Sequence, residues 1–323
     1  MGKYKIVVIG QLNKDLMNQL EQKCEIKVWS SPQKIPRDTL LSWLSDAEGF
    51  ISRGDVVVNG ELLSKAPKLR VIAQASVGYD NVDIDACMSR SIPFGNTPEV
   101  LNEATADLIY GLLISSARRI HEGFEYVKDG KWESPFNIPM GVDLYEKTLG
   151  IIGMGNIGRR VAVRAQASGM NILYHNRKES VANNELNCKY ETFENVLKQS
   201  DFIIVLVPLS NQTKKLFKKT EFEIMKQTAY FINASRGAVV DTNALYQALV
   251  NKEIAYAALD VTDPEPIQSD HPILKLNNIL ITPHIGSATT ETRYKMGQLT
   301  VENLLAGLES KKMPSCVNKT VYN

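Results

Sequence analysis

The sequence has little net charge, few cysteines and no long apolar run, and each shortage excludes a class of protein. Lysine plus arginine (37) nearly balances aspartate plus glutamate (36), so no bulk attraction to nucleic acid or to an anionic membrane surface is expected. The four cysteines are scattered singly, without the spacing of a disulfide framework or a zinc site. The apolar stretch within residues 1–10 is too short for a signal peptide or a membrane span. We therefore expect a cytoplasmic protein without a metal site.

Apolar runs of strand length alternate with helical patterns along most of the chain. This alternation predicts parallel βαβ units, and 323 residues are enough for two such domains. The strands fall into two series. They are predicted at 6–9, 26–29, 49–52 and 69–75 in the first series, and at 149–153, 172–174, 202–207, 229–233, 255–260 and 279–282 in the second. The six strands of the second series predict one complete doubly wound nucleotide-binding unit.

Helical patterns join the two series and close the chain. Thr97 and Pro98 predict a helix start, with Thr as the cap and Pro at the first helical position. A long apolar helix is expected over 101–119 and a last helix over 288–308. The tail beyond that helix is too short for a domain of its own, so we expect it to return to the first domain. The predicted domains are therefore discontinuous, 1–99 plus 286–323 and 100–285.

Residues 121–147 have mixed polarity and no clear period. Two interpretations are open, a disordered linker and an arm that packs on another surface. The aromatic content, which includes Trp132, favours the arm.

A glycine-rich turn stands in mid-chain, directly after a predicted strand. Gly153, Gly155 and Gly158 have the G-x-G-x-x-G spacing of a dinucleotide-binding turn. Gly153 would allow the tight turn, Gly155 the approach of a pyrophosphate, and Gly158 close packing of helix on strand. The backbone N–H groups and the helix dipole at Asn156–Gly158 would face the anion. The helix is expected to end at Gly169.

The residues after the second strand of this unit bear on the choice of cofactor. An NAD-binding unit carries an Asp or Glu about 20 residues past the glycines, but no acidic residue occurs over 153–178. The strand instead ends in Asn176, Arg177 and Lys178, which can donate to or pair with a 2′-phosphate. This pattern favours NADP(H), with NAD(H) as the open alternative if the basic residues are only a solvated strand end.

Three charged or titratable residues follow predicted strands of the same unit. Arg236 comes after the strand at 229–233, and Glu265 and His284 follow the next two strands. Ligands bind outside the carboxyl ends of strands in an open α/β sheet, so these side chains are predicted to converge and to be catalytic.

With these motifs, the sequence resembles the D-2-hydroxyacid dehydrogenase family over nearly its whole length. It looks most like the branch of glyoxylate/hydroxypyruvate reductases and 2-ketogluconate reductases. The resemblance implies a Rossmann dinucleotide-binding domain (100–285), a flavodoxin-like substrate-binding domain (1–99 plus 286–323), and a cofactor cleft between them. It also implies a homodimer, with 121–147 as the dimerisation arm. The matching stretches are 75–80, 153–158, 233–237, 259–266 and 283–289.

The same resemblance implies a role for each site residue. Arg236 would hold the substrate carboxylate, and the backbone N–H groups of Val77 and Gly78 would bind its other end. His284 would donate the proton, and Glu265 would favour its charged form. Asp260 would bond the nicotinamide amide. The remaining residues that are expected to contact the cofactor are Val207, Pro208, Thr213, Ala234, Ser235, Arg236, His284 and Gly286.

Three functions are consistent with these patterns. The first is NADPH-dependent reduction of a small 2-keto acid: glyoxylate, hydroxypyruvate or 2-ketogluconate. The second is an NAD-dependent dehydrogenase that works oxidatively, for example on phosphoglycerate, against which the missing acidic residue counts. The third is a cofactor-sensing interaction protein, similar to the transcriptional corepressors of the family.

Overall fold

Short apolar strands followed by helices produce two parallel sheets in this chain. The computed structural model describes residues 2–134, 137–138, 140–179 and 186–323. It contains two compact units, Met1–Leu101 with Ala288–Asn323, and Asn102–Ser287. The domain boundaries expected from the sequence lie close to these units, while the separate roles of the two domains remain predictions.

The first unit has a five-stranded parallel sheet in the order β2-β1-β3-β4-β5. This is the flavodoxin-like order. Strands β3 and β4 are buried along their whole length, which explains their continuous apolar runs. The elements are β1 (Tyr4–Ile9), α1 (Lys14–Lys23), β2 (Cys24–Trp29), α2 (Arg37–Leu44), β3 (Gly49–Ser52), α3 (Gly60–Ser64), β4 (Val71–Gln74), α4 (Ile84–Ser89) and β5 (Phe94–Gly95).

The second unit has a seven-stranded parallel sheet in the order β12-β11-β10-β9-β6-β7-β8. Counted within the unit, this is the Rossmann order 3-2-1-4-5-6 with one more strand at the end. The elements are α5 (Asn102–Ala117), α6 (Ile120–Lys128), β6 (Thr148–Ile152), α7 (Asn156–Ala167), β7 (Asn171–His175), β8 (Lys189–Tyr190), α8 (Phe193–Gln199), β9 (Phe202–Val205), α9 (Lys219–Glu223), β10 (Tyr230–Asn233), α10 (Thr242–Val250), β11 (Tyr256–Leu259) and β12 (Ile279–Ile281).

The last helix, α11 (Thr290–Leu308), belongs to the first unit, as expected for the C-terminal segment. It packs against β3 and β4, where Leu304 and Leu308 join the core that contains Val71. In each unit, apolar layers cover the sheet on its two faces.

Residues at the ends of α7 and α10 stabilise the limits of these helices. Helix α7 ends at Ala167, and Gly169 has a left-handed φ of +75°, as its sequence position predicts. The Asp241 carboxylate caps α10 by accepting hydrogen bonds from the amides of Asn243 and Ala244.

The count of strands and the start of α5 were predicted wrongly. Strands β5 and β8 have two residues each, too few to form a recognisable apolar run. The helix predicted to start at Thr97 starts at Asn102 instead. Glu99 has a φ of +70°, which interrupts a helix, and the Thr97 amide donates to the Ser76 carbonyl. The Thr97 hydroxyl has no hydrogen-bond partner among the described residues, so it does not cap α5.

The first part of the predicted arm is helical, so the absence of a period there was a wrong interpretation. Within α6, Ile120, Phe124 and Val127 follow the helical repeat and lie more than half exposed. The irregular residues that follow diluted this pattern in a longer window. Residues 135, 136 and 139 of the arm lie outside the described residues.

All four cysteines are buried and unpaired. Burial raises the pKa of Cys24, Cys87 and Cys188 to about 11, so these groups stay protonated at neutral pH. In the described part of the chain, no helix is both long enough and apolar enough to cross a membrane.

Candidate active site

The carboxyl ends of the strands in the second unit bring the predicted residues to one edge of its sheet. Six parallel strands, β6, β7, β9, β10, β11 and β12, each end just before at least one of them. Strand β6 pairs with β7 on one side and with β9 on the other, which makes it the point where the strand order reverses. Ligands of open α/β sheets bind at such a point.

In the glycine turn after β6, the fold itself requires two of the three glycines and does not require the third. Gly153 has a φ of +105°, and a Cβ atom there would lie 2.7 Å from the carbonyl carbon of Leu206. A Cβ atom on Gly158 would lie 2.8 Å from the Gly153 oxygen. Both glycines are therefore required by the fold itself. At Gly155, by contrast, a Cβ atom would meet nothing within 4 Å among the described residues other than its chain neighbours.

Gly155 therefore has no packing reason to be glycine, and its bare backbone leaves the N-terminus of α7 open. Gly155 and Asn156 are exposed there, with Ile157 half-buried in the first turn. The Gly155 amide donates to the Gly153 carbonyl, but the amides of the first turn that follow it, together with the helix dipole, attract an anion. These residues fit the pyrophosphate of a dinucleotide.

The Asn176 side chain turns back onto the glycine loop. Its Oδ1 accepts a hydrogen bond from the Met154 amide at 2.7 Å, and its Nδ2 donates to the Met154 carbonyl at 3.3 Å. The Tyr190 hydroxyl in turn donates to the Asn176 carbonyl at 3.1 Å. Asn176 thus positions the loop, and direct contact between it and a 2′-phosphate remains a prediction. Arg177 and Lys178 are exposed at the same strand end.

Sequence reasoning missed the role of Tyr190. It stands in β8, a two-residue strand that left no apolar pattern to find.

The turn after β9 is held by its own side chain. The Thr213 hydroxyl donates to the Pro208 carbonyl at 2.6 Å and accepts from the Ser210 amide at 2.8 Å. This turn keeps Val207 and Pro208 beside Gly153. The two segments are so close that a Cβ atom on Gly153 would lie 2.9 Å from the Val207 nitrogen.

His284 and Glu265 form a hydrogen-bonded pair. The His284 Nδ1 lies 2.6 Å from the Glu265 Oε1, and the two side chains are 46% and 42% exposed. The Nε2 atom of His284 has no partner within the described ranges, so it is the ring atom available to a substrate. Such a pair suits a proton donor whose charged form is stabilised by a carboxylate.

Charges around Glu265 keep its carboxyl ionised. Partial burial alone would raise the pKa of Glu265, but the hydrogen bond and charge of His284 outweigh this effect and lower the pKa. The positive charge of Arg236 acts in the same direction. Glu265 therefore stays negative at neutral and mildly acidic pH.

Asp260 holds the loop that carries His284. Its carboxylate is 2% exposed and accepts hydrogen bonds from the amides of Ile285 and Gly286, both at 2.8 Å, and from the Thr282 hydroxyl at 2.7 Å. His284 itself has a φ of +54°, a conformation that non-glycine residues adopt only under local constraint. Asp260 supplies that constraint, a role that sequence reasoning did not anticipate.

Asn233 holds the loop that carries Arg236. Its Nδ2 donates to the Arg236 carbonyl at 3.0 Å, and its Oδ1 accepts from the Ser235 amide at 3.0 Å. A side chain on Gly237 would overlap the Thr262 carbonyl, so the strand-end loops of Arg236 and Glu265 pack directly together. An Asn at a strand end that bonds two residues onward is a recognisable turn former, and this signal was available in the sequence. Ala234 and Ser235, which lie between Asn233 and Arg236 in the chain, are half-buried.

Val77 and Gly78 lie in the first unit, in the loop after β4, and both are half-buried. Their amide groups have no acceptor within the part of the chain that the structure describes. They are therefore free to donate to a ligand.

A Rossmann sheet with an open glycine turn, together with a His–Glu pair at neighbouring strand ends, defines a class. The protein is an oxidoreductase that uses a nicotinamide dinucleotide, NAD(H) or NADP(H).

Comparisons with known proteins give the family. Residues 110–286 match the D-isomer specific 2-hydroxyacid dehydrogenase, NAD binding domain. Glyoxylate reductase of Thermococcus litoralis is 42% identical over 99% of this chain and 98% of its own. Glyoxylate/hydroxypyruvate reductase B of Salmonella paratyphi B is 41% identical, over 98% of each chain. The chain belongs to the D-isomer specific 2-hydroxyacid dehydrogenase family.

The fold has solved counterparts. An NADPH-dependent glyoxylate/hydroxypyruvate reductase from Sinorhizobium meliloti, solved with NADP and malonate, superimposes with a TM-score of 0.88. It is 30% identical, and the match covers 100% of this chain and 99% of the other. The family and the two-sheet architecture that the motifs implied are thereby confirmed.

Proposed function

We propose that this protein is an NADPH-dependent reductase of small 2-keto acids, with glyoxylate and hydroxypyruvate as the leading substrates and a D-2-hydroxy acid as product. The observation that carries the proposal is the His284–Glu265 pair at 2.6 Å, with the charge of Arg236 beside it. Relatives named glyoxylate reductase or glyoxylate/hydroxypyruvate reductase match nearly the full length, which supports the substrate class. The larger 2-ketogluconate is a further candidate.

The substrate carboxylate would be held by two sets of donors. Arg236 presents a guanidinium that pairs with a carboxylate through charge-assisted hydrogen bonds. The free amides of Val77 and Gly78 would bind the same group through its second oxygen. Fixed in this way, the keto carbonyl is oriented for reaction rather than merely bound.

The nicotinamide, when bound, supplies the hydride that the carbonyl carbon receives. The carbonyl oxygen gains its proton from His284 Nε2, the ring atom without a partner. Glu265 stabilises the charged imidazolium before transfer and accepts the remaining Nδ1–H bond afterwards. Asp260 keeps the ring in place throughout by holding its loop.

The preference for NADPH rests on charge at the end of β7. Arg177 and Lys178 are exposed cations there, and no carboxylate over 153–178 repels a 2′-phosphate. Arg177 can pair with such a phosphate in bidentate fashion. The Sinorhizobium relative, named as NADPH-dependent, supports this choice.

We further propose that the protein is a homodimer in which a second copy covers α6. Its exposed apolar stripe contains Phe124, which is 61% exposed, and Trp132, which follows the helix in the chain, is 62% exposed. An apolar stripe of this kind marks an interface in a protein of ordinary composition. Light scattering after gel filtration measures the mass, and a monomer at micromolar concentration would contradict the proposal.

The function is tested by the loss of nicotinamide absorbance with NADPH and, separately, NADH, against glyoxylate, hydroxypyruvate and 2-ketogluconate. We expect turnover of glyoxylate or hydroxypyruvate, faster with NADPH. A clear NADH preference would contradict the role of Arg177. Absence of turnover with all pairs, despite cofactor binding, would contradict the reductase and favour a cofactor-sensing protein.

A further inference from the structure

Two consecutive peptide groups in the loop after β4 are held by their carbonyl ends. The Thr97 amide donates to the Ser76 carbonyl at 2.8 Å, and Asn96 Nδ2 donates to the Val77 carbonyl at 3.0 Å. In a trans peptide the C=O and N–H bonds point in opposite directions. The N–H groups of Val77 and Gly78 therefore both point away from the segment that holds their carbonyls.

The Asn96 side chain is itself held in one orientation. Asn96 is buried, and its Oδ1 accepts from the Ser315 hydroxyl at 3.0 Å. Asn303, fully buried on α11, donates from Nδ2 to the Asn96 carbonyl at 3.0 Å and accepts from the Ser315 amide at 2.9 Å. With Oδ1 engaged by Ser315, only Nδ2 is left to face Val77.

A second buried amide holds the next carbonyl of the loop. Gln74 Nε2 lies 2.7 Å from the Ser76 hydroxyl oxygen and 3.2 Å from the Gly78 carbonyl. The Ser76 hydroxyl donates to that same carbonyl at 2.6 Å. Three consecutive carbonyls, those of Ser76, Val77 and Gly78, are thus fixed by side chains or backbone of the first unit.

We propose that Asn96 is a positioning residue that aims the amides of Val77 and Gly78 at the substrate carboxylate, with Asn303 and Ser315 fixing its orientation. The inference rests on the proposed function, because it assigns a ligand to these amides. Two donors that are already aligned lose little conformational freedom on binding and are strengthened by the charge of the anion. The affinity for the carboxylate, and not for the cofactor, is what Asn96 controls.

The test compares Asn96→Ala with Asn318→Ala. Asn318 is a matched control: it lies in the same unit, is 5% exposed against 7% for Asn96, and bonds the Ile92 carbonyl and the Phe94 amide without touching the loop. Asn96→Ala should raise the KM for glyoxylate and the Kd of oxalate about tenfold, the effect of one weakened hydrogen bond to a charged group. The KM for NADPH should stay within about twofold. Asn318→Ala should change none of the three constants by more than about twofold, even where it lowers thermal stability.

Ser315→Ala gives a second, milder variant, because it frees Asn96 Oδ1 without removing the amide. It should weaken oxalate binding about two- to fivefold with the cofactor unaffected. Equal losses in the Asn96 and Asn318 variants, or a parallel rise in the KM for NADPH, would overturn the inference. A wild-type enzyme that binds oxalate but reduces no keto acid would contradict the proposed function alone.

Discussion

The strand-end edge of the second unit has two halves that are built on different principles. The cofactor half, at the ends of β6, β7 and β9, consists of a glycine turn and an open helix N-terminus. The catalytic half, at the ends of β10, β11 and β12, consists of Arg236, Glu265 and His284. The first half is formed largely by backbone, and the second by charged side chains whose loops are held by Asn233 and Asp260.

This difference follows from what each half must do. A pyrophosphate needs several aligned N–H groups, which a helix N-terminus already provides, so removing side chains is enough. Proton transfer needs a titrating group at one fixed place, so the loop under it must be constrained. Substitutions in the glycine turn should therefore act mainly on cofactor affinity, and substitutions of Arg236, Glu265 or His284 mainly on the turnover of the keto acid.

The largest effect is expected from His284→Asn. Asparagine tolerates the left-handed φ of this position, so the loop is kept while the proton donor is lost. The kcat for keto-acid reduction should fall about 10²-fold or more, the usual contribution of general acid catalysis. Steady-state kinetics would measure it, and a titration with NADPH should show a far smaller change in the Kd of the cofactor than in kcat. His271→Asn, in a loop that only caps Ile273, serves as the control. A loss of only a few-fold in the His284 variant would place the proton donor elsewhere.

The next effect concerns the phosphate-reading part of the cofactor half. Arg177→Asp replaces a bidentate cation by a repelling carboxylate, so the NADPH-to-NADH ratio of kcat/KM should fall about 10²-fold. Lys252→Asp makes a similar charge change on the chain that precedes β11, at the opposite edge of the sheet, and should leave the ratio unchanged. Selectivity that survives Arg177→Asp would show that the phosphate is read by other residues.

A matched pair of glycine substitutions divides the turn into structural and binding positions. Gly155→Ala adds a carbon that meets no described residue within 4 Å beyond its chain neighbours, so the fold should persist while the Kd of the cofactor rises about tenfold. Gly153→Ala adds the same carbon at a φ of +105° and should lower the free energy of unfolding by about 1–3 kcal/mol. Thermal melts and cofactor titrations separate the two. Equal loss of stability in both variants would contradict the division.

The smallest effect is a shift in pH dependence. The lowered pKa of Glu265 keeps this group negative at neutral and mildly acidic pH. Activity should therefore persist at mildly acidic pH and fall only where the Glu265 carboxyl takes up its proton. In Glu265→Gln that carboxyl is absent, so the fall that it causes on the acid side of the kcat/KM profile for reduction should disappear. An acid limb that is the same in both proteins would show that another group causes it.

Much of the fold could be predicted from the chain, and the failures have physical reasons. Strands β3, β6 and β10 were located because a strand buried on both faces is a continuous apolar run. Strands β5 and β8 lie at sheet edges and are too short for any pattern. The start of α5 was misplaced because Thr97 looks like a cap, while its amide is taken by a residue twenty-one positions earlier in the chain, Ser76.

The sequence by itself determined the parts of this protein that depend on residue type. Glycine adopts the backbone of Gly153 without the strain that other residues incur there, and only a few side chains can transfer a proton or pair with a carboxylate. The residue types at these positions can therefore be recognised in the sequence alone. The tertiary structure decided the partners of Asn96, Asn176 and Asp260. An amide or a carboxylate can bond many groups, and which one it meets depends on strands and helices that are distant in the chain and adjacent only after folding.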